Sequence, residues 1–151
     1  MKKLTQAEFD AMIRDERGYI NIPDETDCTG VNFHSIDTIA FGVRCKLGDG
    51  CTLGDCCTLR DGCTLGDDCT LGYYCTLGNY CTLGDGCKLG DDCTLGYGCK
   101  LGNRCTLGYY CTLGYRCKLG DDCTLGYGCT LMLDANNEMR VLSAKAAQHA
   151  S

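Results

Sequence analysis

Between residues 45 and 134 a single six-residue unit, Cys-Thr/Lys-Leu-Gly-x-x, recurs fifteen times with no insertion or deletion. Cys returns at every sixth position from Cys45 to Cys129, and Leu from Leu47 to Leu131. Gly follows each Leu from Gly48 to Gly126, giving way only to Arg60 and Met132. A fixed period of this kind decides the architecture before any local propensity does. A helix cannot use it: six residues at about 100° each scatter Cys and Leu over three directions. A strand can. Cys and Leu are two apart and share one face, while the Thr or Lys between them takes the other. Because six is even, the alternation never slips. Gly-x-x then supplies a corner rich in Gly, Asp and Asn, residues that tolerate turn conformations.

So short a strand buries little alone, and the corners must wind the chain into coils that stack. Three units per turn would make an 18-residue coil, and fifteen units five coils, a prism about 24 Å long at about 4.8 Å per strand. Read from Leu, the unit is Leu-Gly-x-x-Cys-Thr, as in Leu47-Gly48-Asp49-Gly50-Cys51-Thr52. This resembles the hexapeptide repeat of left-handed parallel β-helix proteins, over 90 of 151 residues. The resemblance implies an all-β solenoid, a three-sided left-handed parallel β-helix of about five 18-residue coils. Cys in the small inward position departs from the family's usual Ser, Ala, Val or Thr, but Cys is small and comfortable when buried.

The chain divides into an N-terminal helix and transition segment (1–44), the repeats (45–134) and a C-terminal cap and tail (135–151). Residues 5–17 read as a short capping helix. Thr5 is its N-cap, Glu8 completes a capping box, and Leu4 with Phe9 forms a hydrophobic staple. Phe9, Met12 and Ile13 make one apolar stripe, and Gly18 is a natural stop. Such a stripe is expected to dock on the open first coil. Residues 19–44 carry a faint continuation of the register, with Ile39 in a Cys slot, Phe41-Gly42 in a Leu-Gly slot and Phe33 in the Cys slot one unit earlier. Those larger side chains would plug an end that otherwise exposes unpaired strands. After Leu131, Met132 and Leu133, residues 138–142 are open to either a returning strand or a helix.

No apolar run follows Lys2 and Lys3, so a signal peptide is not expected, and no stretch is apolar enough to span a membrane. The net charge is −6 and no basic stripe exists, which argues against nucleic acid and anionic membrane as partners. Seventeen cysteines invite thoughts of disulfides or metal. In stacked strands, however, their parallel Cα–Cβ vectors lie about 4.8 Å apart, and a vertical bridge would be strained. A constant spacing of six is not the close pairing zinc prefers. Free buried thiols in a cytoplasmic protein are the expectation. Cys56 alone falls on a corner, pointing outwards.

Three surface features are candidates for function. With 18-residue coils, Thr58, Thr76, Thr94, Thr112 and Thr130 form one unbroken hydroxyl rank, a candidate ice-binding array as well as ordinary β-branched strand residues. The other two ranks mix Thr with Lys46, Lys100 and Lys118, or with Lys88. Corner residues also stack. Asp49, Asp67, Asp85, Asn103 and Asp121 line one edge, either as turn formers or as a weak Ca²⁺ site. Tyr73, Tyr109 and Tyr127 lie on the second edge and Tyr97 and Tyr115 on the third, joined by Tyr74, Tyr80 and Tyr110. Tyr is enriched where proteins meet proteins, so these five are the candidate interaction surface, with mutual stacking as the competing role.

The resembled family contains acyltransferases, trimers with a catalytic His between subunits and a loop that interrupts the helix, and γ-class carbonic anhydrases with three His around a metal. This chain has two histidines, His34 ahead of the repeats and His149 in the tail. No loop interrupts the repeats. No catalytic, cofactor-binding or metal-binding residue is therefore assigned. The expected role is a non-catalytic structural or protein-interaction solenoid, associating with a protein partner or with itself as a homo-oligomer. An ice binder and a hexapeptide-type acyltransferase are the alternatives.

Overall fold

A computed structural model describes residues 1–133 and 138–142. From Lys46 to Leu125 every Thr-Leu or Lys-Leu pair forms a two-residue strand. Each strand pairs in parallel with the strand 18 residues away, as in Thr76 opposite Thr94 and Leu77 opposite Leu95. The strands assemble into three sheets of seven, eight and five members, one per side of the coil. Leu and Cys fill the interior. Every ladder Leu from Leu47 to Leu131 is buried, and so is every ladder Cys except the half-buried Cys117. The outward ranks fall as expected: Thr58, Thr76, Thr94, Thr112 and Thr130 are successive partners on the eight-stranded sheet.

The glycine after each Leu answers to a close approach between coils. A Cβ built on Gly66 would overlap Asp49 Oδ1 and lie 2.7 Å from the Asp49 backbone nitrogen. From Arg44 to Gly128 the last residue of every corner is left-handed. Ten of these fifteen positions are not glycine, among them Tyr74 and Tyr80 at φ +57° and +58°. A left-handed non-glycine residue costs on the order of 1–2 kcal/mol. From Arg44 to Tyr110 each corner offsets this with a hydrogen bond to the next coil, as when Tyr80 N–H donates to Tyr97 C=O at 2.8 Å.

The solenoid begins earlier than the repeats, with about six turns instead of the expected five. Ile39–Phe41 stacks on Thr58–Leu59 at the regular interval of 18, and Ile39 and Phe41 fill the Cys and Leu slots as read. Before that the interval lengthens to 19, where Ile20–Ile22 pairs with Ile39–Phe41 and Thr26–Cys28 with Lys46–Leu47. Lys2–Lys3 adds a further strand on Thr26–Cys28, an element the sequence reading did not contain.

The helix, α1, runs only over Gln6–Asp10, shorter than the expected 5–17. Its start is as read: Thr5 caps it, with both bonds of the capping box to Glu8 present. Its end is set by a competing loop. Asp15 Oδ1 accepts the backbone N–H groups of Arg17 and Tyr19, and Asp15 Oδ2 accepts Asn21 Nδ2 at 2.7 Å. A carboxylate that serves its own neighbours in this way withdraws the backbone from the helix. Ile13 is consequently 88 % exposed, so the stripe reduces to Phe9 with Met12 packed at its border. Phe9 nevertheless docks as expected, edge-on to Phe33 at 5.1 Å, and Phe33 meets Phe41 in the same way at 5.2 Å. Beside it, Gln6 takes both backbone groups of Asn32, accepting its N–H at 2.7 Å and donating to its C=O at 2.9 Å. One side-chain amide thus replaces a neighbouring strand at an otherwise open edge.

At the other end Cys129–Leu133 pairs antiparallel with Glu138–Leu142, which settles the strand-or-helix alternative for a strand. The tail at 144–151 lies outside the described residues.

Candidate interaction surfaces

Three edges run along the solenoid, and the residue after each glycine decides what an edge can do. On the edge between the seven- and five-stranded sheets that residue is Asp or Asn throughout. Asp49 Oδ1 accepts the N–H of Asp67, Asp67 that of Asp85, Asp85 that of Asn103, and Asn103 that of Asp121, at 2.7–2.9 Å. The acidic edge is therefore a ladder of side-chain caps, and turn chemistry accounts for its composition. Asn103 works in the ladder as well as Asp, so charge is dispensable there and the acceptor is not. Asp85→Asn is expected to leave the melting midpoint unchanged. Asp85→Ala, which strips the Asn103 N–H of its partner, should lower stability by about 1 kcal/mol. Chemical denaturation of the two variants checks this.

On the other two edges tyrosine interrupts the ladder. Asp55 still caps Tyr73, Asp91 caps Tyr109 and Asn79 caps Tyr97, but a tyrosine offers the next coil no such acceptor. Its ring goes outwards instead. Tyr73, Tyr109 and Tyr127 share the edge between the five- and eight-stranded sheets and are more than half exposed, Tyr127 at 70 %. Tyr97 and Tyr115 lie on the edge between the eight- and seven-stranded sheets and are half-buried. Tyr97 meets Tyr80 edge-on at 5.5 Å and carries the Arg116 guanidinium over its ring at 5.7 Å. The five tyrosines thus stand on two edges, three on one and two on the other, as the 18-residue spacing placed them. Tyr80 and Tyr110 also serve stacking, since their rings occupy the space a Cβ would need at Gly98 and Gly128.

Both tyrosine edges border the same sheet, the eight-stranded one, whose outward repeat rank is all threonine. Lys46, Lys100 and Lys118 stand on the seven-stranded sheet and Lys88 on the five-stranded one. The arrangement is a neutral hydroxyl face between two aromatic margins. Spacing showed the ranks, but the joining of these three features required knowing which corner separates which sheets.

Residues 44–79 match the family model described as bacterial transferase hexapeptide (six repeats). Together with three parallel sheets stacked at 18 residues, that decides the class. The chain is a hexapeptide-repeat β-solenoid. Neither a curated protein nor a solved structure matches it.

In this hexapeptide-repeat solenoid His34 sits exposed on a left-handed corner at φ +54°, its Nε2 3.5 Å from Gln6 Nε2 and 3.8 Å from Asp10 Oδ1. His149 lies outside the described residues. Among the described residues no group of three or more His, Cys, Asp or Glu is placed to hold a metal ion, and no helix is long and apolar enough to cross a membrane. All seventeen cysteines are free thiols, with Cys56 exposed on its corner as expected. Burial pushes the Cys28 thiol up to about 12, and burial raises Cys123 as well.

Proposed function

We propose that this solenoid is a non-catalytic rigid scaffold that binds protein, a second copy of itself first of all, through the threonine face and its two tyrosine margins. The observation that carries this reading is the coincidence of both aromatic edges with the one sheet whose repeat rank lacks lysine. Aromatic side chains supply large apolar area at low entropic cost, and a neutral face leaves no charge to desolvate. Replacing Tyr73, Tyr109 and Tyr127 by Ser should keep the circular dichroism spectrum and melting curve, because these rings lie outside the core. In sedimentation velocity the parent protein is expected above monomer mass and the variant at monomer mass. Equal association of the two would remove the basis of the proposal.

The threonine rank supports a second reading, ice binding, since five hydroxyl-bearing residues stand in register on one sheet. Thr76, Thr94 and Thr112 changed to Tyr should then abolish thermal hysteresis, while the tyrosine changes leave it in place. The enzyme alternative draws on the word transferase in the family's description. It calls for saturable binding of an acyl-CoA in a calorimeter and a rate that depends on His34.

A further inference from the structure

The thiol ladder follows one rule with one exception. Fourteen of its fifteen cysteines donate their S–H to a backbone carbonyl of the preceding coil, as Cys63 does to Gly42 at 3.1 Å and Cys69 to Gly48 at 3.2 Å. Cys51 donates instead to the sulfur of Cys69, in the following coil, at 3.1 Å. The cause is local. Above Cys51 the preceding coil leaves the regular path, because residues 29–38 form no strand there. Between that segment and the first corner a cleft of ≈ 370 Å³ opens, lined by Val31, Asn32, Phe33, Asp49, Cys51 and Thr52 among others. Cys51 is 8 % exposed, whereas the other buried ladder cysteines stand at 0 or 1 %.

We propose that Cys51 and Cys69 form a reversible dithiol–disulfide pair, oxidised through this cleft by a hydroperoxide. Cys51 is the attacking residue because the cleft reaches it. Cys69 lies behind it and is held protonated, pushed up to about 12 by its hydrogen bond with Cys51 and then by burial. In the first step the Cys51 thiolate attacks a peroxide oxygen. An S–O bond forms, the O–O bond breaks, and the departing hydroxide or alkoxide takes up a proton. Cys51 is now a sulfenic acid, oxidised by two electrons. In the second step Cys69 sulfur attacks Cys51 sulfur. The S–S bond forms, the S–O bond breaks, and hydroxide leaves with the Cys69 proton as water. Stacked parallel strands hold Cβ atoms farther apart than a relaxed disulfide prefers, so the bond is strained and readily reduced. That makes the pair reversible in place of a permanent staple.

The test uses the full chain carrying Cys56→Ser, which removes the exposed corner thiol. The protein is exposed to hydrogen peroxide, quenched at intervals with an alkylating label and digested with trypsin. Cleavage at Lys46, Arg60 and Lys88 separates the two thiols into peptides 47–60 and 61–88. Tandem mass spectrometry is expected to find the Cys51–Cys69 linkage first, at least tenfold faster than modification of Cys75 or Cys93, and to find it gone after dithiothreitol. Cys51→Ala should abolish the early linkage, and Cys75→Ala should not, both with unchanged circular dichroism. Oxidation of Cys51 no faster than of Cys75 would overturn the proposal. So would accumulation of Cys51 sulfinic acid without a link to Cys69.

Discussion

Deleting residues 1–18 is expected to turn a well-behaved solenoid into one that associates end to end and melts at a lower temperature. Three separate covers are lost at once. Lys2–Lys3 no longer pairs with Thr26–Cys28, which leaves a bare strand edge, the standard template for intermolecular pairing. Gln6 no longer occupies the N–H and C=O of Asn32. Phe9, 2 % exposed, is lifted from Phe33, and Leu4 from the border of the same layer. The point variant Phe9→Ala isolates the last of these and should cost about 3–5 kcal/mol, the usual range for a buried phenylalanine. Light scattering reads the association and thermal denaturation the loss of stability. A truncated protein of unchanged size and midpoint would show that these contacts do not hold the end closed.

The repeat body was legible because the period of six leaves one solution. Cys and Leu must share a face, the trailing pair must turn, and the burial of Leu77, Leu95 and Leu113 follows. The same rule explains what was harder to see. Ile20–Ile22 and Thr26–Cys28 stack at an interval of 19, and a single extra residue is enough to erase periodicity while leaving the geometry of stacking intact. Lys2–Lys3 has no apolar residue and no strand propensity to announce it, and its partner lies 24 positions away. The helix was read too long because its stripe of Phe9, Met12 and Ile13 obeys helical spacing. Only the loop bonds of Asp15 and the bonds of Arg14 to Gly18 and Asp37 show why the chain turns away before Ile13 is used. At the surface, composition identified the tyrosines and threonines but not their common face. The exceptional thiol had no signal in the sequence at all, since Cys51 occupies its slot as faithfully as its fourteen fellows.

The strongest consequence of the period is that length matters only through its remainder. Excising residues 75–92 removes one whole coil and joins Tyr74 to Cys93, so every downstream residue meets a partner equivalent to its former one. Core, ranks and corner caps persist, and the protein is expected to fold with a body about 4.8 Å shorter. Excising residues 75–80 removes one side. Cys and Leu still face inwards, but Lys100 and Lys118 move onto the threonine face. Such a protein should fold yet lose any association that depends on the neutral face. Excising residues 93–95 is different in kind, because it deletes a strand and leaves its corners. Downstream units must then skip a side or detach, and the remaining body from Cys99 is less than two coils long. With stability shared only between neighbouring coils, so short a segment cannot hold alone. Its strands should unfold, with a loss of roughly two fifths of the β signal in circular dichroism and rapid proteolysis beyond Asp92, while the N-terminal coils stay protected. If the three-residue deletion were tolerated as well as the whole coil, the inward alternation of Cys and Leu would not be what specifies this fold.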